Sequence, residues 1–149
     1  MARGPWRRLA TPAGPGSGIG DIGDHPVVQV SLHDPEAFAT RAGGRLPTEA
    51  EWEKAARGGL DRATYPWGDQ LHPHGEHQAD IWHGAFPTHK TRADGHDTTA
   101  PIDIHAPKAF GLYNTSGNVW KWTADWFPPT WHQTASDQTR RDPRGLSKQ

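Results

Sequence analysis

Five histidines fall in one short stretch of this 149-residue chain: His72, His74, His77, His83 and His89. Three neutral imidazoles can hold zinc or iron. Their spacing matches no established metal motif, and the surrounding Asp, Gly and Thr residues read as an exposed loop, so solvated histidines are expected. Asp80 and Asp94 lie in the same stretch and, taken alone, read as carboxylates in solvated turns. Cysteine is absent. Without it the chain has no disulfide, no thiolate nucleophile and no Cys-ligated metal. Arg45 can pair with Glu51 or Glu53 as an ordinary structural ion pair, not a catalytic dyad. The tryptophans could stack on a sugar or a peptide, but Trp120-Lys121-Trp122 alternates as strand residues do, which points to core packing.

The elements that would position these residues are few. Pro26-Val27-Val28-Gln29-Val30 is a β-branched run that reads as a strand. His33-Asp34-Pro35-Glu36 reads as a helix start, with Asp34 as N-cap and Pro35 at the first helical position. That helix would turn Phe38 and Ala42 inward and end at Gly43-Gly44 in a left-handed cap. A clearer helix follows Arg45-Leu46-Pro47. Thr48 caps it, Glu51 completes a Thr-x-x-Glu capping box, and Trp52, Ala55 and Ala56 share one face. Gly58-Gly59 stop it. Tyr65-Pro66-Trp67-Gly68-Asp69 reads as a turn carrying two aromatics. Residues 70–105 show little periodicity, and a stretch of that length needs something such as a bound metal ion to order it. Val119 to Trp122 reads as a strand.

Composition agrees with such a layout. Hydrophobic residues make up 33%, with 17 Gly and 14 Pro, which favours loops over long regular elements. Eight tryptophans argue against disorder and supply anchors for an irregular core. The formal net charge of −1 gives no electrostatic case for nucleic acid or an anionic membrane as partner. The ten histidines add positive charge below roughly pH 6.5. No apolar run approaches the roughly 18 residues of a membrane span, and no apolar signal segment follows the basic start, so a cytoplasmic product is expected. Residues 1–24 read as a Gly/Pro-rich arm in which packing pins only Trp6, and residues 25–149 as one domain with a polar tail.

Longer words then stand out. Arg45-Leu46-Pro47-Thr48-Glu49-Ala50-Glu51-Trp52-Glu53, with Ala55-Ala56-Arg57-Gly58-Gly59 and Tyr65-Pro66-Trp67-Gly68-Asp69, resembles one signature of the formylglycine-generating-enzyme (sulfatase-modifying-factor) family. Phe110-Gly111-Leu112-Tyr113-Asn114-Thr115-Ser116-Gly117-Asn118-Val119-Trp120-Lys121-Trp122-Thr123 resembles a second. His25-Pro26-Val27-Val28 and Ile81-Trp82 fit the same order, and the match covers roughly residues 6–145. The resemblance implies an α+β, loop-rich, C-type-lectin-like fold with little regular secondary structure and bound calcium, here incomplete at both ends. It also implies oxidation of a cysteine within Cys-x-Pro-x-Arg of a sulfatase or another target protein to formylglycine. That reaction uses molecular oxygen and copper(I) held by a pair of cysteines.

The resemblance carries site residues over only in part. A first calcium site would use the Asp80 side chain, the Ile81 carbonyl, the Asp94 side chain and the His96 carbonyl. The family commonly has Asn at the position of Asp80, and Asp supplies the same oxygen with added charge. A second would use the Asn114 side chain and the Gly117 and Val119 carbonyls. Lys121 stands where the family usually has Glu; an ammonium offers no lone pair, which argues against calcium there. The copper cysteines belong to a later segment, so no catalytic residue is named. Three explanations stand open: a truncated gene, one piece of a split enzyme, or a degenerate relative. Family membership with no activity of this chain alone is the leading reading. The alternative is a non-catalytic, calcium-stabilised binding or accessory module. An iron-dependent sulfoxide-synthase relative is a weaker third, because that chemistry needs histidines from a separate helical domain.

Overall fold

A computed structural model describes residues 9–126, 130, 133 and 141–143. Two helices dominate its regular structure: α1, His33–Arg41, and α2, Glu49–Arg57. A 3-10 turn spans Pro73–Gly75. The rest is turns and loops, so the loop-rich expectation holds.

Helix α2 forms as its sequence directs. The Thr48 hydroxyl accepts from the Glu51 backbone N–H, and the Glu51 carboxylate accepts in return from the Thr48 N–H at 2.9 Å. Glu51 also receives a two-pronged contact from the Arg45 guanidinium, with both N···O distances 2.7 Å. The guanidinium and the Thr48 N–H together hold the Glu51 carboxyl down to about 2. Gly58 closes the helix in the left-handed conformation at φ 58°. Ala56 is fully buried, with Trp52 and Ala55 half-buried beside it, which is the expected face.

Helix α1 differs from its expected form. It begins at His33 after Leu32, and Asp34 lies inside it. The Asp34 carboxylate instead reaches back to accept from the Ser31 N–H at 2.7 Å and the Ser31 hydroxyl at 2.8 Å. Phe38 points outward with 75% of its surface exposed, and Ala42 is exposed too. The helix therefore buries nothing. Gly43 does take the expected left-handed cap, at φ 77°.

The β half of the expected α+β class is absent among the described residues. Thr11 and Trp126 are single bridge residues, and Tyr65 and Gly68 pair in an isolated bridge. It closes the expected aromatic turn, where the Tyr65 and Trp67 rings stack at 5.3 Å. Residues 26–30 and 119–122 run without ladder partners. A strand needs a neighbour for its backbone groups and a face to bury; Val27 is 69% exposed and Trp120 wholly so. Trp82, Trp122 and Trp126 are also exposed, so the expectation of tryptophan core packing is overturned for this region. Trp6, Phe127 and the greater part of the tail lie outside the described residues.

What is buried is small and polar. Ala56, Ala79 and Ala100 are the buried apolar side chains among the described residues, and Asp80 and Thr115 are buried with them. Asn118 organises this centre. Its amide accepts from the Ala100 N–H at 3.1 Å and donates to the Ala100 carbonyl at 2.8 Å, as a strand neighbour would. Its own N–H donates to the Asp80 carbonyl at 2.7 Å. The second signature is tied to α2 as well: the Ala124 N–H donates to the Pro47 carbonyl, and Asp125 accepts from the Glu49 N–H at the helix start.

Candidate functional site

The centre of the molecule is a pair of carboxylates. Asp80 is 4% exposed and the Asp94 side chain is fully covered. Three backbone contacts set the pair. Asp94 accepts from the Ile81 N–H at 3.2 Å through one oxygen and from the His96 N–H at 3.3 Å through the other. The Asp80 carbonyl is held by Asn118 and lies directly against Gly117. Gly117, at φ 76°, has no room for a Cβ because that atom would run into the Asp80 carbonyl oxygen.

Asp80 and Asp94 cannot share this space as two free charges. Burial, and then the hydrogen bond and negative charge of Asp94, push the Asp80 carboxyl up to about 6. Burial also opposes ionisation of Asp94, but the His96 N–H, Asp80 and the Ile81 N–H hold it below the ordinary carboxylate range. The pair is therefore poised to keep one proton or to take a cation. Asp80 Oδ2 is buried with no hydrogen-bond partner among the described residues. An oxygen donor set with an unpartnered carboxylate oxygen fits calcium. Asp80 and Asp94 are thus gathered with the Ile81 and His96 backbone at one place.

The second expected site is different. The Lys121 ammonium donates to the Gly117 carbonyl, one of the oxygens a calcium ion there would use. Burial lowers the Lys121 pKa. The Asn114 amide donates to the Pro101 carbonyl at 3.0 Å, and its oxygen is buried without a partner. The Lys121 ammonium thus already takes the Gly117 carbonyl, and a cation beside that oxygen argues against a metal ion there. Copper has no fit either: the 149 residues contain no thiolate.

The histidines are not dispersed in solvent as expected. His72, His77 and His83 converge, with candidate ligand nitrogens all within 4.8 Å of one another. The turn at Pro73–Gly75, with His74 left-handed at φ 56°, reverses the chain between the first two. His83 Nε2 lies 3.4 Å from Asp94 Oδ2, so the cluster adjoins the carboxylate pair. Burial lowers the His83 pKa despite the Asp94 charge, and the neighbouring His77 and His72 add to the effect. His74 and His89 stand apart from the cluster. His105, which sequence reasoning passed over, is a further half-buried imidazole whose pKa burial lowers; its Nε2 is buried with no partner among the described residues. Among the described residues, no helix is long and apolar enough to cross a membrane.

A polar, calcium-fitting centre carried by loops and two short helices defines a scaffold more than a reaction. Its ancestry is plain from comparison with known proteins: residues 4–145 match the sulfatase-modifying factor enzyme 1-like domain, and the chain belongs to that family. The formylglycine-generating enzyme of Thermomonospora curvata is 60% identical over 141 residues, covering 95% of this chain and 46% of that protein. The Streptomyces coelicolor enzyme of the same name is 50% identical over 140 residues, covering 94% of this chain and 43% of its own length. The inactive C-alpha-formylglycine-generating enzyme 2 of Bos taurus is 43% identical over 148 residues, covering 99% of this chain and 45% of its own. The chain thus spans under half the length of these curated relatives.

Proposed function

We propose that these 149 residues act as the calcium-stabilised scaffold of a formylglycine-generating protein, on a C-type-lectin-like fold. The observation that carries the calcium reading is the buried Asp80/Asp94 pair with its unpartnered oxygen. The implied reaction is oxidation of a cysteine in a sulfatase or similar target carrying Cys-x-Pro-x-Arg. Its copper(I) centre requires thiolates that these residues do not contain, so this stretch alone leaves such a peptide unchanged. The test is peptide oxidation with and without a cysteine-bearing segment from the relatives supplied in cis or in trans. Formylglycine should form only when the segment is present. Oxidation by the 149 residues alone, or none from a folded, copper-loaded complex, overturns the reading.

A second reading has its own support. Lys121 bonds an oxygen of the second expected calcium site, and a relative named as inactive matches nearly the whole chain. On this reading the chain is a non-catalytic binding or accessory module. It then folds and responds to calcium, yet gives no oxidation even with the cysteine segment restored.

A further inference from the structure

We propose that His72, His77 and His83 form a three-imidazole site for a divalent transition metal such as zinc, separate from the calcium-fitting carboxylates. Three observations carry it. The three side chains come from different parts of the loop yet offer nitrogens within 4.8 Å of one another. Their rings converge, with centroids 4.6 Å apart for His72 and His77, 4.4 Å for His77 and His83, and 5.8 Å for His72 and His83. His77 Nδ1 and His83 Nε2 are buried with no hydrogen-bond partner among the described residues. Buried polar nitrogens cost free energy when left unpaired. The rings do not satisfy one another, since no hydrogen bond joins any two of them.

A metal resolves this. Zn–N bonds of about 2.0–2.1 Å place tetrahedral ligand nitrogens roughly 3.3 Å apart. The three imidazoles therefore need only small side-chain rotations to close on one ion. His72 is exposed, while His77 and His83 are half-buried, so the fourth position faces solvent and takes water. Asp94 adjoins His83 at 3.4 Å. Imidazole suits zinc, copper(II) and nickel, whereas calcium prefers oxygen, so the two neighbouring sites differ in the ions they accept.

The experiment is titration of the tag-free protein with zinc chloride in saturating calcium, which blocks the carboxylate site. One zinc per chain is expected. His72→Ala, an exposed position, should weaken binding at least tenfold. His89→Ala, outside the cluster, should leave it unchanged. Cobalt(II) serves as the second readout: the unsubstituted protein should develop the intense visible bands of a four-coordinate imidazole site, and zinc should abolish them. Those bands decide the matter if His72→Ala does not fold. Absence of one-to-one binding, binding unaltered by His72→Ala in a folded variant, or cobalt spectra of the free aqua ion would overturn the site.

Discussion

Neutralising Asp80 should stabilise the calcium-free protein at neutral pH. The Asp80 carboxyl is raised to about 6 by burial and by Asp94, against 3.8 ordinarily. Folding therefore takes up a proton in the window between these values. The stability contributed by Asp80 is fully present below pH 3.8 and is lost as pH rises through about 6. At about 1.4 kcal/mol per pH unit, the loss is on the order of 2–3 kcal/mol at pH 7. Asp80→Asn keeps an oxygen donor but cannot ionise. In chelator it should match the parent near pH 4 and exceed its stability by roughly 2–3 kcal/mol at pH 7. Urea unfolding followed by tryptophan fluorescence measures both, and the difference between the two proteins cancels the other titrating groups. Calcium should act in the opposite direction. A cation between the carboxylates replaces the proton, so stabilisation at a hundredfold excess over Kd is about 2.7 kcal/mol at pH 7 and shrinks as protons compete at pH 5. If Asp80→Asn and the parent show the same pH profile in chelator, the two carboxylates do not share a dry site and the reasoning fails.

Other perturbations probe neighbouring parts. Gly117→Ala drives a Cβ into the Asp80 carbonyl at a positive φ, so a loss above about 2 kcal/mol and a blunted calcium response are expected in the same urea assay. Lys121→Glu removes the ammonium from the Gly117 carbonyl and should create a second calcium equivalent, counted by titration against the single site of the parent. Thr48→Ala breaks the capping box of α2 and should cost about 1 kcal/mol, which thermal melting reads as a fall of roughly 2–4 °C.

The parts legible in the sequence were those decided by neighbours along the chain. Thr48, Glu51 and Gly58 specify α2 because a capping box and a left-handed stop involve residues at most a few positions apart. The Tyr65–Gly68 turn is local for the same reason. The carboxylate pair was reached only through resemblance: Asp80 and Asp94 are joined by loops that carry no period, and the bonds that gather them run to Asn118 and to backbone N–H groups. The run of histidines was visible, but not which three converge, because that depends on a reversal at His74 that no residue type announces. Tryptophan was misleading. Its size suggests burial, but Trp120 is wholly exposed and Trp126 more than half so.

Those exposed rings and the polar centre belong to one physical problem. The three alanines buried among the described residues supply little apolar area, at about 25 cal/mol per Å² buried, to oppose the conformational entropy of so many loop residues. The buried charge at Asp80 and Asp94 makes that balance worse unless a proton or a cation offsets it. Lys121 shows the same need met from within the chain, by an ammonium resting on the Gly117 carbonyl. The two solutions stand on either side of one short segment, with Gly117 against Asp80 on one side and bonded to Lys121 on the other. Calcium bound at the carboxylates should therefore tighten the Lys121 contact as well. Lys121→Met should consequently destabilise the calcium-bound protein more than the calcium-free one, and equal losses in the two states would show that the segment does not couple them.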